Sequence, residues 1–240
     1  MNASPDIRYN AKTHVGLKRK VNEDAVLALP DQHIWMVSDG MGGHDAGDFA
    51  SRLIADRVAM VPRSLPPTER MHALREAILT AHTTIREEAD SRGRGLIGAT
   101  VAALMLANGH FVGLWAGDSR IYRLRDGEIE MLTTDHSAVA DLVLAGQMTW
   151  DEAERHPQSN AITRAVGVGE DLGLDKVRGE VQPGDRFLIC SDGLTKYATF
   201  RMLRDALARF PIETISDQLI QIALEGGGAD NITVIVLDVP

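Results

Sequence analysis

The order of apolar patterns along this chain constrains its fold most. Strand-like patterns come first, at residues 7–14, 25–29 and 33–38. Two helical stripes follow, Phe49-Leu53-Ile54-Val58-Val61 and Leu74-Ile78-Ala81-Ile85. Strand patterns return at 100–106, 111–116 and 121–124, and again at 174–181 and 185–191. Two more stripes, Phe200-Leu203-Leu207-Phe210 and Ile212-Ile215-Leu219-Ile222, precede a last apolar strand at 232–239. Strand and helix do not alternate one for one, which excludes a doubly wound parallel sheet. Short turns such as Pro30-Asp31-Gln32 and Asn108-Gly109 are hairpin signals. The expected fold is α+β: a four-layer α-β-β-α sandwich, two antiparallel sheets flanked by helix pairs.

The chain of 240 residues suits a single domain over 1–240. Residues from about 135 to 169 are polar and interrupted by Gly146, Pro157 and Gly167, so they read as a surface flap beside a site. The formal charge is −9, which argues against nucleic-acid partners. Apolar runs fall short of a membrane span, and the first residues lack the basic and apolar regions of a signal peptide. A cytoplasmic monomer without membrane or nucleic-acid partners is expected. The single cysteine, Cys190, sits in an apolar strand pattern and reads as core.

The chemistry lies in acids that end strands. Ser38-Asp39-Gly40-Met41-Gly42-Gly43-His44 and Ser191-Asp192-Gly193-Leu194 each follow an apolar run. A carboxylate at a strand end is held rigidly, and the glycine after it permits a sharp turn. Asp118 and Asp230 have similar settings. A single Asp-Gly pair is by default only a turn. Four strand-end acids, two of them in Ser-Asp-Gly, instead suggest one oxygen-lined site for magnesium or manganese. A carboxylate such as Asp39 can bridge two ions, and the Gly40 carbonyl is free to serve as a ligand. Arg19, in a loop before Glu23 and Asp24, has the planar fork that suits a phosphate.

Taken in order, Arg19-x-x-Asn22-Glu23-Asp24, Asp39-Gly40-Met41-Gly42-Gly43-His44, Gly98-Ala99-Thr100, Gly117-Asp118-Ser119-Arg120, Ser191-Asp192-Gly193-Leu194 and Asp230-Asn231-Ile232-Thr233 resemble the bacterial branch of the PPM (protein phosphatase 2C) serine/threonine phosphatases. The resemblance implies hydrolysis of phosphoserine and phosphothreonine at a centre of two Mn2+ or Mg2+ ions, with a third possible, in opposition to a Ser/Thr kinase. It implies that Asp39 bridges the catalytic ions, with Gly40 on one and Asp192 and Asp230 on the other. Asp118, helped by Asp192, would form the third site. Glu23 and Asp24 would act through bound waters, Arg19 would hold the substrate phosphate, and Asn231 would orient Asp230. Some members carry a proton-donating histidine directly after the first Asp-Gly; here that residue is Met41, and nearby His44 is a candidate substrate contact. Two other classes compete: a non-catalytic module on the same fold, which should have lost metal ligands, and a two-metal nuclease, which the acidic balance disfavours.

Overall fold

The first strand, β1 (Arg8–His14), is exposed at most positions, as suits a sheet edge. The structure is a computed structural model and describes residues 7–42, 45–93 and 96–240. After β1 come β2 (Asp24–Leu29), β3 (Ile34–Met41), α1 (Asp45–Ala59), α2 (Pro67–Ser91) and the short β4 (Gly98–Ala99). Then follow β5 (Val101–Ala107), β6 (His110–Ala116), β7 (Arg120–Arg125), β8 (Glu128–Met131), α3 (Ala140–Leu144) and α4 (Trp150–Ala153). The chain ends with β9 (Asp175–Glu180), β10 (Arg186–Cys190), α5 (Asp192–Thr195), α6 (Phe200–Arg209), α7 (Ile215–Gly226) and β11 (Ile232–Asp238).

One sheet has the order β1-β11-β10-β7-β8; the other runs β2-β3-β5-β6-β9, with β4 paired to β3. The strand pairs are antiparallel. The alternation of side chains along a strand explains why the sheets stack. In β3, Trp35 and Val37 face the other sheet, while Ile34 and Met36 face α1 and α2. In β10, Phe187 and Ile189 face inward, while Leu188 and Cys190 pack toward α6 and α7. Each sheet is thus apolar on both sides, and the expected four layers are present. Cys190 is fully buried, and burial pushes its thiol well above the usual range.

The helices bury the predicted stripes. Leu74, Ile78, Ala81 and Ile85 of α2 are buried; Pro67 begins that helix, where a missing N–H costs nothing. Thr199 caps α6 by accepting the Met202 N–H at 3.3 Å. Among the described residues no helix is long and apolar enough to cross a membrane.

The polar segment 135–169 differs from a plain surface loop. Its middle is mostly exposed or half-buried, with Ala153 buried, while Asp135, His136 and Ser137 at one end and Ala165 and Val166 at the other are buried. Ala99 and Val166 exchange backbone hydrogen bonds of 3.0 and 2.8 Å. Arg120 grips Asp135 through both carboxylate oxygens and pairs with Glu154 at 2.7 Å. These partners satisfy the buried Arg120 and Asp135, which a core position would otherwise penalise.

Candidate metal centre

Asp24 and Asp39 face each other across the β2–β3 pair, because the hairpin register sets them directly opposite. Thr100 fixes Asp39 from the other side: its hydroxyl accepts the Asp39 N–H at 3.0 Å, and its own N–H donates to the Asp39 carbonyl at 2.8 Å. The Thr100 hydroxyl also meets the Ser119 hydroxyl at 2.7 Å, which ties the start of β7, and hence Asp118, to the same point.

Asp24 joins the two sheets. Its Oδ2 accepts from Ser191 Oγ at 2.8 Å and Thr233 Oγ1 at 2.7 Å. Those residues flank Asp192 and Asp230 in sequence, so the same bonds bring the second pair of acids to the first. Burial pushes the Asp24 carboxyl up to about 7, against the pull of the two hydroxyls. Asp39 keeps partial contact with solvent. Even so, the surrounding protein, and then the charges of Asp24, Asp192, Asp118 and Asp230, raise its carboxyl far above the ordinary range. Asp118 is buried and raised likewise, by burial first and by Asp192 next. Asp39, Asp118, Asp192 and Asp230, predicted from positions far apart in sequence, therefore converge.

Positive groups already lie among these acids. Arg19 Nη2 donates to Asp230 Oδ2 at 2.9 Å. Lys196 Nζ lies 2.6 Å from Asp192 Oδ2 and 3.6 Å from Asp230 Oδ2. Burial works upward on Asp230, but Arg19, Lys196 and the Asn231 N–H together hold its carboxyl below the usual range. Lys196 is a member of the site that sequence reasoning missed. Its signal was its position four residues after Asp192, one turn along a helix.

Asn231 touches Asp230 through its backbone N–H, at 2.9 Å. Its side chain has another task. Oδ1 accepts the Glu23 N–H at 2.8 Å, and Nδ2 donates to the carbonyls of Val15 and Val21 at 2.9 and 3.0 Å. Asn231 thereby fixes the loop that carries Arg19 and Glu23. Gly40 has no room for a side chain: a Cβ there would lie 2.2 Å from the Gly47 carbonyl oxygen and 2.7 Å from that of Glu23. His44, expected to contact substrate, lies outside the described residues.

The donors are all oxygen, which suits magnesium or manganese. Asp24 Oδ1, Asp118 Oδ1 and Asp192 Oδ1 are buried without a hydrogen-bond partner, a costly state unless a cation is to be met there. Among the described residues no three acidic, histidine or cysteine side chains are yet drawn together into a cage. A small polar cavity lined by Asp118, Asp192, Lys196, Glu154, Ser159 and Asn160 opens between these acids and the 135–169 segment.

A two-sheet sandwich with clustered acids at one end defines a class, and the sequence places the chain within it. Residues 16–223 match the family model described as protein phosphatase 2C, and the chain belongs to that family. Its curated relatives include the serine/threonine protein phosphatase PstP of Mycobacterium tuberculosis, 36% identical over 237 residues; the match covers 97% of this chain and 45% of PstP. The chain thus spans about half the length of that relative. Among solved structures, PppA of Pseudomonas aeruginosa aligns with a TM-score of 0.90 at 41% identity, covering 97% of each chain. The catalytic domain of PstP, solved in complex with two manganese ions, aligns with a TM-score of 0.88 at 34% identity, covering 98% of this chain and 99% of that one.

Proposed function

We propose that this chain is a metal-dependent protein-serine/threonine phosphatase, acting on phosphoserine and phosphothreonine in proteins. The observation that carries the reading is that strand register, hydrogen bonds and the Lys196 contacts gather Asp24, Asp39, Asp118, Asp192 and Asp230 at one end of the sandwich. In this reading Asp39, the Gly40 carbonyl, Asp192 and Asp230 would hold two Mn2+ or Mg2+ ions, and Asp118 with Asp192 would hold a third. Such ions, when bound, lower the pKa of water and clamp phosphoryl oxygens.

The protein's own groups do the rest. Arg19 is half-exposed at the rim, and its fork can leave Asp230 for a substrate phosphate, where two parallel N–H bonds orient the ester. Asn231 holds the loop behind Arg19, so the guanidinium is positioned rather than free. Glu23 and Asp24 back the site; Asp24 keeps the two sheets in register. The whole of 1–240 acts as one domain, and the middle of 135–169 serves as a flap that shapes access for a protein substrate.

The broader setting follows from that chemistry: a cytoplasmic monomer in signalling, opposing a Ser/Thr kinase. Hydrolysis of a phosphothreonine peptide with added manganese tests the reading. Asp39→Asn should bring turnover to background while leaving the melting curve cooperative. Wild-type turnover in that variant would refute the assignment.

A further inference from the structure

Lys196 has no part in the chemistry described above, yet its ammonium is seated between two of the acids. It follows α5, one helical turn after Asp192, so its position is set by the same short helix that presents that carboxylate. The Lys196 side chain is only 19% exposed. Its ammonium lies 2.6 Å from Asp192 Oδ2 and 3.6 Å from Asp230 Oδ2, and Asp118 acts on it as well. An ammonium between two carboxylates, one opening α5 and one just before β11, stands where an ion shared by those carboxylates would stand. Asp192 Oδ1 and Asp118 Oδ1 are buried nearby without hydrogen-bond partners. A lysine on a flexible four-carbon stem can leave such a place, whereas a backbone group cannot.

We propose that Lys196 is a built-in counter-cation of the centre: its ammonium holds Asp192 and Asp230 together in the metal-free protein, and must swing outward for a divalent ion to enter. The inference rests on the metal-site reading above. Lys196 then weakens ion binding in two ways, by occupying carboxylate oxygens and by repelling a like charge at short range. It also keeps the free protein from paying the full repulsion among its acids. Lys196 therefore trades ion affinity for stability of the unloaded state.

The test is calorimetric titration of Mn2+ into the full chain, comparing wild type with Lys196→Met, which keeps the stem, and Lys196→Arg, which keeps the charge. Lys196→Met should bind Mn2+ about tenfold more tightly or better, and should melt at lower temperature than wild type in chelator. Lys196→Arg should bind no more tightly than wild type. A structural lysine with no competing role would instead give unchanged or weaker binding in Lys196→Met, and that result overturns the inference. Binding by neither protein would overturn the metal reading itself, and this inference with it. Wild type alone supplies a second measurement, should Lys196→Met fail to fold. Reductive methylation of Lys196, followed by mass spectrometry, should rise when Mn2+ saturates the site. Labelling that stays level or falls would contradict displacement.

Discussion

Asp39, Asp118 and Asp24 are carboxyls kept among like charges, and small groups around them keep that arrangement in register. Gly193 is one: a Cβ there would lie 1.9 Å from the Asn231 carbonyl oxygen, so the turn after Asp192 passes directly over the strand that carries Asp230. Gly193→Ala must push these two segments apart and should cost about 3 kcal/mol or more, read as a lowered midpoint in urea. His82 sets a different residue-scale expectation. It is buried in α2; its Nδ1 accepts the Gly167 N–H at 2.9 Å, and its Nε2 faces the Glu170 carbonyl at 3.3 Å. Burial lowers its pKa from 6.5. A proton on Nδ1 would also end the bond from Gly167. The unfolded chain therefore binds this proton first, so the stability tied to neutral His82 is complete above pH 6.5 and is lost as pH falls below it. Melting curves from pH 8 to pH 5 should show His82→Gln losing less stability than wild type on acidification. Equal losses would assign the acid sensitivity elsewhere.

At the scale of elements, the central strands and helix pairs were legible because each central strand must serve two layers. Residues such as Trp35 and Met36 then read as continuous apolar runs with glycine or proline at their ends. The 135–169 segment was only partly legible. Its polar composition does not reveal its anchored ends, since Asp135 and His136 are polar residues buried by partners elsewhere in the chain. Arg120 is the principal anchor: it reaches from β7 to Asp135 and Glu154 and lies 5.2 Å above the ring of Trp150. Arg120→Met would leave two carboxylates buried without their cation, a loss of about 3–5 kcal/mol. Faster proteolysis within residues 141–164, with a lower melting temperature, is the expected result. A cleavage pattern unchanged from wild type would show that the segment is held by its backbone bridges alone.

For the molecule as a whole, the two sheets matter to the site because neither carries it alone. Asp24 and Asp39 belong to one sheet; Asp118, Asp192 and Asp230 stand at strand ends of the other. Ser191 and Thr233 reach from the second to Asp24, so folding and site assembly are one event. The strand-end acids were readable in sequence as Asp-Gly turns and isolated carboxylates. The pairing of Lys196 with Asp192 has a helical spacing in the sequence, but its contact with Asp230 does not, because only the three-dimensional fold brings that acid near. Manganese anomalous scattering from a crystal of the loaded protein tests the central claim most directly. Peaks between Asp39, Asp192 and Asp230 are predicted, with occupancy lost in Asp39→Asn. A loaded crystal with no peak among those three carboxylates, or with peaks only at the surface, would contradict it.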